Sequence, residues 1–313
     1  MKPEITIVSA CDRNFLWGAF LLAASAYRHV PGIPVHILQT GFTAADAALF
    51  DGLPDVRLLP LDDDDPRNVA NRKSEAIVTG ESDYIAWLDA DCMIVGDIRP
   101  LLIPANGDFQ IRLREPAENA WVWRNHYAPG EKTRGGVPET VLARWCADVG
   151  QWPSPRLNTT CVTNVFVLHR RHLDFIREWK SQIAKVIAPV HAGVVDRSSP
   201  AYFMTDESVF SSLLAFSRLA PPLGELQLNR DPAAHVAHFG ANPKPWKRWR
   251  KPFWYCHQPV LDLIAWLQSN GKPVPPIPWS FKRSATPLAW GVAQAEALYA
   301  QARTTAGNLL RRN

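Results

Sequence analysis

The 313-residue sequence lacks the marks of several common protein classes. No uninterrupted apolar run approaches the roughly 18 residues that a membrane-spanning helix needs, so none is expected. No Cys-x-x-Cys pair occurs, and the five cysteines (Cys11, Cys92, Cys146, Cys161, Cys256) are odd in number and dispersed. That pattern argues against a disulfide framework or a zinc knuckle and predicts buried free thiols in a reducing compartment. No Gly-x-Gly-x-x-Gly follows a strand-like run, which disfavours a dinucleotide dehydrogenase. Ser9-Ala10-Cys11-Asp12, at the end of the first apolar run, holds no glycine, so the phosphate loop of a nucleotidyltransferase is disfavoured too. No internal repeat is visible. Charged residues make up 20% and the net charge is only +4, which creates no demand for a nucleic-acid partner. Met1-Lys2-Pro3-Glu4 leads straight into Ile5-Thr6-Ile7-Val8, a pattern that predicts no secretory leader and a cytoplasmic location.

What is present is ample core material, 47% hydrophobic, broken by 27 prolines. The first hundred residues alternate strand and helix patterns. Strands are expected at 5–10, 34–38, 56–59 and from Tyr84, and helices at 15–29, 44–50 and 68–78. This alternation predicts βαβ units and a largely parallel sheet. From Phe109 to Pro155 the pattern loosens, with Trp121, Trp123, His126, Tyr127, Trp145 and Trp152 among Pro, Gly and charge. Either an irregular segment packed by its aromatics or a sugar-binding surface would read this way. A strand at 162–168 and helices at 173–186 and 206–216 follow, with a loop at 191–199 between the helices and a short strand or turn at 236–239 after them.

The centre of the chain is Tyr84-Ile85-Ala86-Trp87-Leu88-Asp89-Ala90-Asp91-Cys92-Met93-Ile94-Val95. An apolar run of strand length ends in two aspartates one residue apart, and a second apolar run follows at once. Buried parallel strands read this way, and ligands bind beyond their carboxyl ends. In extended chain, residues i and i+2 point the same way, so the two carboxylates would converge; the alternative is a strand-end turn with capping aspartates. A divalent cation turns that repulsion into a binding site. Asp62 to Asp65 repeats the spacing without flanking apolar runs on both sides, and reads as a solvated loop. The second anchor is His238-Phe239-Gly240-Ala241-Asn242-Pro243-Lys244-Pro245-Trp246. Its imidazole can complete a carboxylate metal site, its ammonium can bind phosphate, and its glycine lets backbone approach a ligand.

Together these residues resemble glycosyltransferase family 8, retaining enzymes with the GT-A fold. Ala10-Cys11-Asp12-Arg13-Asn14-Phe15 is similar to the family's first-strand segment. Arg72 lies seventeen residues before Asp89, where the family carries an arginine. Leu88-Asp89-Ala90-Asp91 with Gly96-Asp97-Ile98 resembles the metal segment, Thr205-Asp206-Glu207 the Asp-Gln pair, and His238 to Trp246 the His-x-x-Gly-x-x-Lys-Pro-Trp motif. The sequence departs from the pattern in three places. Gly240 comes two residues after His238, Glu207 stands for Gln, and Val162-Thr163-Asn164 or Asn158 stands where the family has Asn-Ala-Gly. The resemblance implies an α/β GT-A fold and transfer of a hexose from a UDP-sugar to a glycan or lipid-linked glycan. It implies Mn²⁺ or Mg²⁺ on Asp89, Asp91 and His238. It implies nucleotide contacts from Ala10, Asp12, Asn14, Asp89, Ala90, Gly240 and Lys244, and catalytic roles for Asp206, Arg72 and Glu207. The alternative is a non-catalytic nucleotide-sugar or glycan-binding protein of the same fold.

A catalytic domain over 1–250 is expected, with a basic, aromatic extension over 251–313. In the tail, 247–255 mixes four basic residues with Trp249, Phe253, Trp254 and Tyr255, and 273–278 reads as a polyproline linker. The segment from Pro287 reads as an amphipathic helix striped by Leu288, Val292, Ala295, Tyr299, Ala302 and Leu309 and closed by Arg311-Arg312. Two readings stand: the tail packs on the catalytic domain, or it makes peripheral contact with an anionic membrane at its inner face.

Overall fold

A computed structural model describes residues 4–310 except 63, 105–107, 125–134, 189–194, 197 and 227–234. His126, Tyr127, Arg311 and Arg312 therefore lie outside the described residues, as does most of the loop expected at 191–199. Eighteen strands and α-helices are described. In chain order they begin with β1 (Ile5–Asp12), α1 (Leu16–His29), β2 (Val35–Thr40), α2 (Ala44–Ala48), β3 (Val56–Pro60), α3 (Lys73–Ile77), β4 (Tyr84–Leu88) and β5 (Cys92–Ile94). The middle comprises β6 (Phe109–Leu113), α4 (Pro116–Val122), α5 (Glu139–Val149), β7 (Cys161–His169), α6 (Leu173–Val186) and α7 (Thr205–Phe216). The last elements are β8 (Gly224–Glu225), β9 (Val236–His238), α8 (His257–Ser269) and α9 (Thr286–Leu310).

Seven strands form one sheet in the order β3-β2-β1-β4-β7-β6-β8, and β5 pairs with β9 in a separate ribbon. The pairs β3–β2, β2–β1, β1–β4 and β6–β8 are parallel; β7 runs against both of its neighbours. The expected α/β fold with a mostly parallel sheet is therefore observed. Both faces of the central strands are buried, and the side-chain period of two sorts them. On β4, Ala86 and Leu88 join one core with α1 and the C-terminal helices, while Ile85 and Trp87 join the other with α6 and α7. On β7, Val165 and Val167 face the first core, and Phe166 and Leu168 the second.

Several expectations change. The described residues of the 109–155 segment hold a strand and two helices, with Trp123 and Trp145 buried and Trp121 and Trp152 exposed. The 68–78 helix splits into a 3-10 turn at Val69–Arg72 and α3, a bend that redirects its side chains. The basic, aromatic 247–255 stretch is partly interior. Trp249 is fully buried and its indole N–H donates to the Ser280 carbonyl at 2.8 Å. Residues of α8 and α9, among them Leu263, Leu267 and Ala293, belong to the same core cluster as α1. The face that α9 buries is that of Ala289 and Ala293, while the apolar stripe, left between packing and membrane contact, is mostly outside: Leu288, Ala295, Tyr299 and Ala302 are exposed, and Val292 is half-buried. Alanines let α9 sit close to the body, which turns the bulkier residues outward. Of the cysteines, all are free and only Cys146 is not buried. No described helix is long and apolar enough to cross a membrane.

One close approach ties this packing to the functional end of the sheet. A Cβ on Gly18 of α1 would lie 2.5 Å from the Ala90 carbonyl oxygen and 2.8 Å from the Trp246 ring. Gly18→Ala is expected to destabilise the protein by about 1–3 kcal/mol, as overpacking does. Urea denaturation checks this, and an unchanged midpoint would contradict the contact.

Candidate active site

The functional side chains gather in a cavity of about 520 Å³ at the carboxyl ends of β1 and β4. The two aspartates converge by a route other than extended chain. The chain turns at Ala90, with the Cys92 N–H donating to the Asp89 carbonyl at 2.9 Å, so the carboxylates flank a tight turn. The β5–β9 ribbon then sets the third group. Its register places His238 opposite Cys92, and the Phe239 N–H donates to the Asp91 carbonyl at 2.9 Å. His238 Nε2 lies 3.3 Å from Asp91 Oδ1 and 3.9 Å from Asp89 Oδ2. One ligand atom from each of Asp89, Asp91 and His238 falls within 4.8 Å of the others. Two carboxylates and an imidazole in that span suit a hard or borderline divalent ion such as Mn²⁺ or Mg²⁺.

Fixed cations balance the carboxylates. Lys244 Nζ lies 2.5 Å from Asp91 Oδ2, donates to the Phe239 carbonyl at 2.8 Å, and sits 5.3 Å from the centre of the Phe15 ring. Burial pushes the Asp91 carboxyl up, but His238 and Lys244 outweigh it and hold the group below the usual carboxylate range. Burial also pushes the Asp89 carboxyl up, and there the balance stays upward, with Asp91 reinforcing it against Lys73. For His238, burial favours the neutral ring, yet Asp91 and Asp89 turn the net shift upward. The ring needs the space beside Gly240, where a Cβ would come within 2.6 Å of it.

The buried Lys73, first residue of α3, was not among the residues expected from sequence. Its ammonium bridges Asp89 Oδ1 at 2.9 Å and Asp206 Oδ2 at 3.1 Å. Burial lowers its proton affinity, but Asp206 and Asp89 more than reverse that. Thr163 Oγ1 donates to Asp206 Oδ2 at 2.9 Å. Thr205, just before Asp206, has φ +30°, a region strained for a β-branched residue, and functional sites often hold such strain. Glu207 is buried beside it, with Arg114 Nη2 donating to its Oε1 at 2.5 Å. Burial raises its proton affinity and Arg114 opposes that. Arg114 too was missed by the sequence reading.

Ala10, Asp12, Asp89, Ala90, Asp91, Asp206, Glu207, His238, Gly240 and Lys244 all line the cavity. Val162, Thr163 and Asn164 do as well, whereas Asn158 accepts the Val137 N–H in a loop. Asn14 is exposed beside the cavity, its backbone N–H donating to Asp12 Oδ1 at 2.9 Å. Arg72 is the residue the structure does not bring in. Its guanidinium donates to the Asp62 carbonyl at 2.6 Å and to Glu75 Oε2 at 3.0 Å, and lies 3.6 Å from Asp65. The 62–65 run is thus solvated at Asp62 and Asp64 but not at Asp65, which also accepts from Arg67 Nε at 2.9 Å.

No protein-family model and no curated protein matches the sequence. Solved structures do match. A bifunctional glycosyltransferase, WbbM, aligns over 85% of this chain with a TM-score of 0.54 and 12% identity. This chain spans half of its length, 50%. An active-site glutamine-to-glutamate mutant of LgtC aligns over 83% of this chain and 95% of its own, with a TM-score of 0.51 and 16% identity. The chain has the GT-A fold. In GT-A terms, the cavity lies where β1 and β4 end, and the β5–β9 ribbon closes one side of it.

The Asp65 cluster gives a pH-dependent signature. The Arg67 hydrogen bonds hold the Asp65 carboxyl at about 2, below its ordinary 3.8. Its contribution to stability, on the order of 2 kcal/mol, is therefore complete above about pH 5 and lost as pH falls through 2. Asp65→Asn should be less stable than the parent at neutral pH, with the gap closing as pH is lowered. Urea denaturation across that range measures it; a constant gap would contradict the assignment.

Proposed function

We propose that this protein is a metal-dependent retaining glycosyltransferase that moves a hexose from a UDP-sugar to a glycan or lipid-linked glycan. The observation that carries the reading is the convergence of Asp89, Asp91 and His238, from one turn and a distant strand, beside Lys244 and Asp206 in a single cavity. A cavity of this size suits a nucleotide-sugar. Asp89, Asp91 and His238 would hold Mn²⁺ or Mg²⁺, which when bound supplies Lewis acidity to the diphosphate leaving group.

The chain's own residues do the rest. Lys244, itself buried, offers a fixed positive charge to the developing phosphate charge. Lys73 and Thr163 hold the Asp206 carboxylate in one orientation, facing the donor sugar. Arg114 ties down Glu207, so the carboxylate that stands for the family's glutamine is pinned as a fixed acceptor in the cavity wall. Asp12 and Ala10 at the end of β1 face the base and ribose. Arg72 would act on this site only at a distance, through its hold on the loop before α3. The exposed Leu288, Trp290, Leu298 and Tyr299 of α9 support contact of the tail with a membrane that carries the acceptor.

Two outcomes are expected. Donor hydrolysis, screened across common UDP-sugars, should need a divalent ion, and Asp91→Asn should lower it about 100-fold or more with the fold intact by circular dichroism. Full turnover in a chelator would overturn the metal reading. Calorimetry should favour uridine over cytidine diphosphate by about tenfold, because a carboxylate accepts the uracil imide N–H that cytosine lacks. Asp12→Ala should erase that preference, and equal affinities in the parent protein would remove Asp12 from the base site.

A further inference from the structure

Trp87 stands near the end of β4, opposite Val8 of β1 and Phe166 of β7. Its ring is buried in the second core, yet it also lines the cavity. A buried indole N–H needs an acceptor, and it can act only as a donor. The acceptor here is a carboxylate of the site: Trp87 Nε1 donates to Asp89 Oδ1 at 2.9 Å. The contact follows from the strand. The Asp89 N–H still donates to the Asn164 carbonyl of β7 at 2.8 Å, so the chain stays paired through Asp89 and residues 87 and 89 share a face. Lys73 Nζ reaches the same oxygen at 2.9 Å and lies 5.6 Å from the centre of the Trp87 ring. Asp89 Oδ1 thus takes two donors from the wall. Oδ2 is turned toward His238 Nε2, 3.9 Å away, and among the described residues it accepts no hydrogen bond.

We propose that Trp87 is a positioning residue that restricts Asp89 to one oxygen as a ligand and so tunes the site toward small divalent ions. The proposal rests on the metal site proposed above and adds selectivity to it. A carboxylate free to turn can grip an ion with both oxygens. Ca²⁺, with its large and flexible oxygen shell, takes such ligands readily, whereas the tighter octahedral shells of Mg²⁺ and Mn²⁺ suit single oxygens. For Asp89 to grip with both, Oδ1 would have to leave Trp87 and Lys73, and a buried N–H would lose its acceptor. Lys73 cannot impose this alone. Its ammonium is shared with Asp206 Oδ2 at 3.1 Å and the Thr163 carbonyl at 3.3 Å. The indole N–H has Asp89 as its acceptor and no such second call on it. Trp87 therefore touches neither sugar nor phosphate in this role; it acts on the ion through the carboxylate it holds.

The test compares the full-length parent protein with Trp87→Phe and Trp87→Tyr, which keep an aromatic ring and lose the indole N–H. Calorimetry with Mn²⁺ alone and with Ca²⁺ alone gives the two affinities. The parent should prefer Mn²⁺. Trp87→Phe should bind Mn²⁺ about tenfold more weakly while its Ca²⁺ affinity holds or rises, so the preference narrows about tenfold or more. A tryptophan that only filled the core would leave that ratio unchanged, whatever it did to stability. If Trp87→Phe is misfolded by circular dichroism, Trp87→Tyr takes its place with the same expectation. If both are misfolded, the parent decides alone: the Trp87 indole N–H signal in its nitrogen-15 spectrum, assigned through backbone neighbours, should move on addition of Mg²⁺. A folded variant with the parent's Mn²⁺-to-Ca²⁺ ratio, a parent that binds Ca²⁺ as tightly as Mn²⁺, or an indole signal unmoved at saturating Mg²⁺ would overturn the role of Trp87 and leave the metal site standing. A parent protein that binds none of these ions would overturn both.

Discussion

Two carboxylates one residue apart end a strand buried on both faces, and their repulsion has to be balanced where water is scarce. The balance is struck by groups from every part of the chain. Lys73 comes from the start of α3, His238 from β9 and Lys244 from the turn that follows it. Each of these groups is fixed by a second contact of its own. Lys73 reaches Asp206 and the Thr163 carbonyl, Lys244 the Phe239 carbonyl, and His238 the Asn164 amide. The site is thus a small lattice of charges in which no carboxylate can be altered without loosening a partner that serves another element. This explains why the βαβ half and the later ribbon, separated by well over a hundred residues, meet at one place.

Much of this was legible in the sequence. The parallel half follows from apolar runs alternating with helical stripes, and those signals are local. The Asp89–Asp91 pair stood out because strand-like runs flank it on both sides, and His238 with Lys244 because two prolines and a glycine mark a turn. Arg72 and Lys73 show what local reading loses. Lys73, Ala76 and Ile77 share spacings of three and four and all are buried, whereas Arg72 and Glu75 pair at i and i+3 on another side. The stripe was available in the sequence, but burying a lysine on it makes sense only once Asp89 and Asp206 are known to converge there. The convergence is a property of the sheet, not of the segment. Arg114 was hidden for the same reason, since its partner Glu207 is ninety-three positions away.

The tail shows a different limit. Periodicity placed the α9 helix correctly and left open whether its stripe met protein or lipid; the side that packs is set by size rather than hydrophobicity. Ala289 and Ala293 lie against the body while leucines and aromatics point outward. Trp249 and Phe281 complete the inner contact, in the same core as α1. Mixed basic and aromatic composition at 247–255 could not distinguish an interior from a surface role, and the stretch holds both: Trp249 is buried and Tyr255 is exposed.

The reversed direction of β7 carries a last consequence. A strand parallel to β4 would bring its far end to the cavity, after its register had been fixed along the whole sheet. β7 instead begins there, with the Arg114 N–H donating to the Thr160 carbonyl and Val162, Thr163 and Asn164 entering the wall before the pairing with β4 is complete. The bulge between Ile111 and Arg112 of β6 lies opposite this same stretch. Val162 pairs with Arg112 and the Asn164 carbonyl receives the Asp89 N–H, so a change of length at the start of β7 would shift the cavity wall and the sheet register together. The shape of the cavity and the order of the sheet are, at this edge, written into the same three residues.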